Sequence, residues 1–329
     1  MKLASIENPK SKDGSLIIVS RDNSKAVRAD EIASSLREAI ENWQQVSPLL
    51  EKKFEALEQG KCEGSFSLKE KKVEFLSALP RTWLFADGSA FIYHVKLVRK
   101  ARNAPLPETL TTVPLMYQGE CGQFLKPHGE IPQRDFSHGT DFEGEVGVIL
   151  DEVPMGITPD EALKHIKLVV LINDVSLRGL IPDELAQGFG FFQSKPASSL
   201  SPLALTLDEL GSSWKDGRLH LPLQVNYNKN FFGKANAGEM HFHFGQLISH
   251  AAKTRNLSAG TLIGSGTVSN EDHTKGSSCL AEKRMIEQIE KGKVETPFMK
   301  AGDSIEIFMQ NEMGQDLFGR IYQKVIAVK

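Results

Sequence analysis

The segment DFEGEVGVILD, Asp141 to Asp151, limits the fold more than any other stretch, because it sets acids on alternate residues at the head of an apolar run. Asp141, Glu143 and Glu145 lead into Val146, Val148, Ile149 and Leu150. Side chains two apart on a strand share a face, so an extended chain here puts Glu143 beside Glu145. Two carboxylates about 6–7 Å apart repel by roughly 2.5 kcal/mol at an effective dielectric near ~20. Their neighbours are small or apolar, so this face is not simply washed by solvent and a positive group is expected against it. A divalent cation, which takes oxygen ligands, resolves the repulsion and makes burial tolerable. The alternative is an edge strand whose acid face meets water.

Further acids follow apolar sequence in the same way. Asp174 closes the run KLVVLIND, a place where open β architectures display functional groups; alone it would be a turn residue or a cap. Asp87, in WLFADGSAFIYHV, precedes His94, and a helical reading of that stretch sets the two on one side, two turns apart.

Short strands separated by Gly, Pro and Asn turns fill most of the chain. The candidates are Glu145–Leu150, Leu168–Asn173, Leu221–Tyr227, Leu262–Gly264, Ser304–Met309 and Phe318–Val325. Thr158-Pro159-Asp160-Glu161 carries the signals of a helix start, and Gly245 to Arg255 reads as another helix. Before them come a strand at Ser15–Ser20 and one long helix with Ile32, Leu36, Ile40 and Trp43 at helical spacing, capped by Asp30 and stopped by Gly60. Polar sequence from Gly60 to Lys72 reads as a linker, with a domain boundary near Ala78. The expected fold is α+β and β-rich: a small N-terminal α/β domain over residues 1–78 and a mixed β-sandwich roll over 79–329.

A formal net charge of -3, with both signs interspersed, argues against a nucleic-acid partner. No apolar run approaches a membrane span, and MKLASIENPK lacks the apolar core of a secretory signal. Cys62, Cys121 and Cys279 are too scattered for a disulfide framework, which points to a reducing cytoplasm. Cys121 and Cys279 lack an activating motif. His241 and His243 alternate with Phe242 and Phe244 and read as a packing segment rather than a metal pair. GFGFF, Gly188 to Phe192, is either an apolar lid or core packing. Val27 to Leu57 is expected to pack within its own domain; an adaptor role for that helix is the other reading.

Taken in order, Asp87…His94, Glu143-x-Glu145, NDVSLR (Asn173 to Arg178), SKP around Lys195 and GSGTVS (Gly264 to Ser269) resemble the fumarylacetoacetate hydrolase family from about Trp83 onward. The resemblance implies a metal-binding β roll, usually a homodimer, with Mg2+, Ca2+ or Mn2+ as cofactor. It makes Asp87, Glu143, Glu145 and Asp174 the metal ligands, His94 the general base and Glu282 the acid that orients it. Arg178 and Lys195 match the cations that polarise the substrate carbonyl, and Tyr117 and Thr267 match substrate contacts. The implied substrate is a small β-dicarbonyl acid: fumarylacetoacetate, cleaved to fumarate and acetoacetate in tyrosine breakdown. An acylpyruvate hydrolase or a β-keto-acid decarboxylase of the oxaloacetate type keeps the same site, and a non-catalytic dicarbonyl- or metal-binding protein is the reading from another class. Two departures bear on substrate. Ile181 stands where the well-known fumarylacetoacetate hydrolases carry glutamine, and Glu120 where they carry arginine. Gln193 is a candidate replacement amide, and Arg99, Arg102 and Lys126 are candidate basic contacts.

Overall fold

The structure, a computed structural model, describes residues 1–101, 105–106 and 108–329. Two large sheets dominate the described residues, beside the two-stranded pairs Thr140–Asp141 with Ser176–Leu177 and Trp214–Lys215 with Arg218–Leu219. The larger runs in the order Phe66–Ser67, Lys25–Arg28, Ser11–Val19, Lys2–Asn8, Leu203–Leu205, Ile166–Asn173, Gly144–Leu150, Leu262–Gly264, Phe85–Gly88, Met116–Gly119, with Ser199–Leu200 on the side of Ile166–Asn173. The smaller runs Asn230–Asn236, Pro222–Tyr227, Ser304–Met309, Ile321–Ala327, Glu130–Gln133. Both are mixed, because Leu262–Gly264 pairs parallel with Phe85–Gly88, and Ile321–Ala327 parallel with Glu130–Gln133. Helices among the described residues are α1 (Leu36–Glu41), α2 (Trp43–Glu58), α3 (Ile92–Ala101), α4 (Pro159–Ala162), α5 (Ile181–Gln187), α6 (Phe244–Ala251) and α7 (Leu280–Lys291). None of them is long and apolar enough to cross a membrane. The α+β, β-rich class expected from the strand and turn spacing is the class observed.

The larger sheet is buried on both faces, and the alternation of side chains decides what each face meets. Val146, Val148, Leu150, Val169 and Leu171 pack toward Leu223, Val225, Ile305 and Ile307 of the smaller sheet. The alternate set, Phe85, Ile149, Leu168, Val170, Ile172 and Leu262, packs with Leu36, Ile40, Leu50 and Phe54 of α1 and α2. The rows of this second face run on into Asp87, Glu145, Asp174 and Gly264. Three acids, Asp87 and Glu145 on strands and Asp174 just past the end of a third, therefore lie on one face, beyond the apolar cover.

Local chemistry explains where the elements depart from expectation. The N-terminal helix is broken at Asn42 into α1 and α2, and Ser35, not Asp30, caps α1 by accepting from the Glu38 N–H. Asp30 instead pairs with Arg28. The polar 60–72 stretch contributes the edge strand Phe66–Ser67. Asp87 lies on a strand and only His94 on a helix, because Phe85–Gly88 is inserted between Leu262–Gly264 and Met116–Gly119. The last strand starts at Ile321 rather than Phe318, and α6 ends at Ala251 rather than Arg255. Residues 1–78 are not set apart by a linker alone, since Lys2–Asn8 forms a ladder with Leu203–Leu205.

Candidate active site and metal centre

Register brings the site together. Asp87 lies opposite Tyr117 on one side and Gly264 on the other; Gly264 in turn lies opposite Gly147, two residues from Glu145. Asp174 follows the Ile166–Asn173 strand, and its N–H donates to the Glu143 carbonyl at 2.9 Å. Carboxylate oxygens of Asp87, Glu145 and Asp174 all lie within 4.8 Å of one another. Gly264 makes this approach possible, as a Cβ there would stand 2.2 Å from Asp87 Oδ1 and 3.2 Å from Glu145 Oε2.

This cluster is electrostatically unfinished. Both Glu145 carboxylate oxygens are buried without a hydrogen-bond partner among the described residues. Burial pushes Glu145 well above the usual carboxylate range, with Asp87 and Asp174 adding to it. Burial likewise raises Asp87 to about 8, with Asp174 contributing. An orphaned carboxylate close to two other acids is what a hard divalent cation would satisfy.

Glu143 is in a different position. Its oxygens are taken by Arg178 Nη2 at 2.7 Å, Lys195 Nζ at 2.6 Å, Thr267 Oγ1 at 2.8 Å and Ser176 Oγ at 3.2 Å. Burial opposes its ionisation, but the two cations outweigh it and hold the carboxyl well below its usual range. Of the four expected ligands three converge, while Glu143 is set apart by its two cations; within the converging three, Asp174 is itself already hydrogen-bonded. Lys195 joins the groups, because its Nζ also donates to Asp174 Oδ2 at 2.6 Å. Tyr117 donates to the same oxygen at 2.5 Å, and Ser198 to Asp174 Oδ1 at 2.6 Å.

His94 and Glu282 meet across helices. Nδ1 of His94, on α3, is 2.9 Å from Oε2 of Glu282 in the first turn of α7. Glu282 is 1 % exposed, so the carboxylate that orients the imidazole is shielded from water.

Part of this set lines a cleft of about 510 Å³, although Glu145, Asp174 and Glu282 are not among its lining residues. Its lining combines polar groups, Asp87, His94, Tyr117, Glu143, Arg178, Lys195 and Thr267, with the apolar Val95, Val98, Leu115, Ile181, Leu185 and Phe191. A larger groove of about 900 Å³ lies elsewhere, between Glu7–Lys12 and Gly122–Glu130, and contains neither the acid cluster nor the dyad. Lys126 belongs to that groove, paired with Glu74, while Arg99 lines the cleft. Arg102 falls outside the described residues. Gln193 is exposed and does not line the cleft, and Glu120 accepts the Gly122 N–H in a local turn.

Sequence reasoning passed over several groups. Asp141, grouped with Glu143 and Glu145 by its spacing, is fully buried and accepts Arg178 Nε at 2.9 Å and the N–H groups of Leu280 and Ala281 at 2.8 and 2.9 Å. It ties the Arg178 cation to the helix that carries Glu282. The alternation of acids signalled a special role, but nothing local revealed the helix N-terminus it meets. Asp141→Ala should destabilise the fold by about 3 kcal/mol, because two amides and part of a buried guanidinium lose their acceptor; urea unfolding measures it. Cys279 is the N-cap of α7, its Sγ accepting from the Glu282 N–H, and burial raises its thiol well above the usual range, as suits an unreactive group. His243 caps α6, and His241 Nε2 lies 3.0 Å from the Thr111 carbonyl, so neither forms a strand-face metal pair.

The family model described as "Fumarylacetoacetate (FAA) hydrolase C-terminal" matches residues 84–326, and "Fumarylacetoacetase N-terminal domain 2" matches residues 1–81. The chain belongs to the fumarylacetoacetate hydrolase family. Within the family it is 25% identical to the oxaloacetate tautomerase YisK of Bacillus subtilis over 249 residues, 74% of this chain and 72% of that protein. It is 30% identical to a 2,4-didehydro-3-deoxy-L-rhamnonate hydrolase of Sphingomonas sp. over 169 residues, 50% of this chain and 55% of that protein. Its fold matches maleylpyruvate hydrolase from Sphingobium sp. SYK-6, solved with manganese(II) and pyruvate, with a TM-score of 0.68 at 14% identity, each chain covered in full. These fumarylacetoacetate hydrolase family relatives are hydrolases and a tautomerase of small acids, so membership alone does not fix a substrate.

Proposed function

We propose that this protein is a divalent-metal-dependent enzyme acting on a small 2-oxo acid of the acylpyruvate or oxaloacetate type. The observation that carries it is the Glu145 carboxylate, buried with both oxygens unpartnered among the described residues and close to Asp87 and Asp174, while Asp87 shares its cleft with His94 of the His94–Glu282 dyad. Asp87, Glu145 and Asp174 would hold Mg2+ or Mn2+, with Glu143 adjacent. Such an ion supplies Lewis-acid polarisation of oxygens on the substrate.

The chain's own residues divide the remaining work. Glu282 fixes the His94 ring through Nδ1, which leaves Nε2 to move a proton. In hydrolysis that proton comes from water adding to the acyl carbonyl; the C–C bond breaks, and the departing carbon keeps the electron pair and is protonated. In tautomerisation of an enol the same imidazole takes the proton from the enol oxygen and returns it to carbon. Lys195 and Arg178 place positive charge where an oxyanion or a substrate carboxylate would develop, a contribution of about 3–4 kcal/mol per donor in comparable sites. Tyr117 and Thr267 offer hydroxyls in the cleft. The apolar part of the lining, with Ile181 in it, restricts water around the reacting carbons.

Relatives acting on oxaloacetate and on a 2-oxo sugar acid support this substrate class over fumarylacetoacetate. Fumarylacetoacetate is the second reading, favoured by the match of residues 1–81 to a fumarylacetoacetase N-terminal domain. The test is a panel of acetylpyruvate, the enol of oxaloacetate and fumarylacetoacetate, each assayed with Mn2+, with Mg2+ and with chelator. Metal-dependent turnover of either of the first two is expected. Turnover of fumarylacetoacetate alone would transfer the assignment to the second reading, and metal-independent or absent turnover on all three removes both.

A further inference from the structure

Arg178 and Lys195 stand at the two ends of one segment, and both reach Glu143, at 2.7 and 2.6 Å. The residues between them, 179–194, form a strap along the cleft. Its outgoing leg is α5, which places Ile181 and, one turn later, Leu185 in the cleft wall. Gly188 and Gly190, at φ +81° and +91°, reverse the chain. Phe191 then returns to the wall, edge-on to the Tyr117 ring with centroids 5.2 Å apart. At the base, the Leu177 N–H donates to the Ser194 carbonyl at 2.8 Å.

Apolar burial does little to hold the return leg, since Phe189 and Phe192 are both exposed. One side chain does hold it. The Glu184 carboxylate accepts the N–H of Phe192 at 3.1 Å and of Ser194 at 3.2 Å, together with the Gln193 N–H and the Ser194 hydroxyl. These donors come from the three residues immediately before Lys195. Among the described residues, no other α5 side chain hydrogen-bonds this leg. All of the groups facing Glu184 are donors, so an ionised carboxylate satisfies them and an amide, which must present its own N–H, cannot.

We propose that Glu184 is a positioning residue: by clamping Phe192 to Ser194 against α5 it fixes Lys195 on Glu143 and Asp174 and keeps Phe191 over Tyr117. The inference rests on Lys195 being the substrate-facing cation, as assigned above.

The test uses full-length, Mn2+-loaded Glu184→Ala, Glu184→Gln and Glu184→Asp, with Lys195→Ala alongside. Measurements are kcat and KM on whichever panel compound the wild type turns over, Mn2+ affinity by calorimetry, and chymotrypsin nicking after Phe189 and Phe192. For the Ala and Gln variants kcat should fall about 10–100-fold and nicking rise at least about tenfold, while Mn2+ affinity stays within about threefold. The Asp variant should recover part of both losses, which a merely structural role for the side chain would not give. Should the Ala variant fail to fold, the near-isosteric Gln variant carries the same measurements. Wild-type nicking in the Gln variant overturns the clamp, and so does wild-type kcat there when Lys195→Ala is inactive. If Lys195→Ala itself retains full kcat, the assignment of that cation is wrong, and nicking alone then decides whether Glu184 holds the strap.

Discussion

His94→Ala is expected to lower kcat by about 10²–10⁴-fold while leaving Mn2+ affinity nearly unchanged. The separation follows from geometry. His94 rides on α3 and is oriented from α7, whereas Asp87, Glu145 and Asp174 come from the sheet. Glu282→Gln should follow the same pattern with a smaller loss, because the amide still accepts a hydrogen bond from Nδ1–H yet cannot stabilise the imidazolium as a carboxylate does. Steady-state kinetics with saturating Mn2+, paired with calorimetric titration of the ion, reads both quantities. Full activity in His94→Ala would remove the imidazole from the chemistry.

Glu145→Gln is expected to act in the opposite direction on stability and on metal. Divalent-ion affinity should drop by more than about 100-fold, since the carboxylate with free oxygens is the one replaced. The metal-free variant should nevertheless melt at a higher temperature than the metal-free wild type, because the wild-type fold must take up a proton to bury this acid beside Asp87 and Asp174, whereas the amide is already neutral. The gain should be roughly 1–3 kcal/mol. The same physics fixes the sign of a pH effect. Asp87 has a folded-state pKa raised to about 8, so the metal-free fold binds a proton that the unfolded chain releases near pH ~4. That contribution to stability is complete below about pH 4 and is lost as pH rises toward about 8. Bound Mn2+ should reverse the trend, because ionised carboxylates are then the favoured form. Scanning calorimetry from acid to mildly alkaline pH, with and without Mn2+, follows both effects. A metal-free Glu145→Gln protein that melts below the wild type would show that the three acids are not in conflict.

Loss of fold and loss of chemistry are expected from different acids of one short segment, DFEGE. Asp141 accepts from a helix and an arginine, so its removal costs stability; Glu145 accepts from no donor among the described residues, so its removal restores stability and costs metal. The opening strand is therefore not a uniform row of ligands. Glu143 stands between these cases, paired by Lys195 and Arg178.

Alternation along the chain was enough to mark the strands Leu262–Gly264 and Ser304–Met309 to the residue, and the cores of Gly144–Leu150 and Ile166–Asn173. Those runs are legible because their burial follows from their own composition. Thr158 capping α4 was legible for a similar reason, since the acceptor and the amide it serves are three residues apart. The stretch around Asp87 was not, because Phe85–Gly88 owes its extended form to strands that arrive from residues 116–119 and 262–264. The single N-terminal helix also failed, since the Asn42 break is set by packing of α1 and α2 on the sheet rather than by a Gly or Pro signal.

By itself the sequence marked the family, through the order of its motifs, and singled out the residue types that the proposed chemistry uses: acids heading apolar strands, a histidine and two cations. Tertiary structure alone decided how they are used. Whether a buried carboxylate is free or paired depends on donors far away in sequence, as Glu143 depends on Arg178, Lys195 and Thr267 while Glu145 meets no donor among the described residues. It also decided that Phe189 and Phe192 stay exposed and that the Glu184 carboxylate meets the amides just before Lys195. The physical reason is that local pattern sets which face a side chain occupies, whereas the charge of a buried group is set by whatever the folded chain brings within a few ångströms of it.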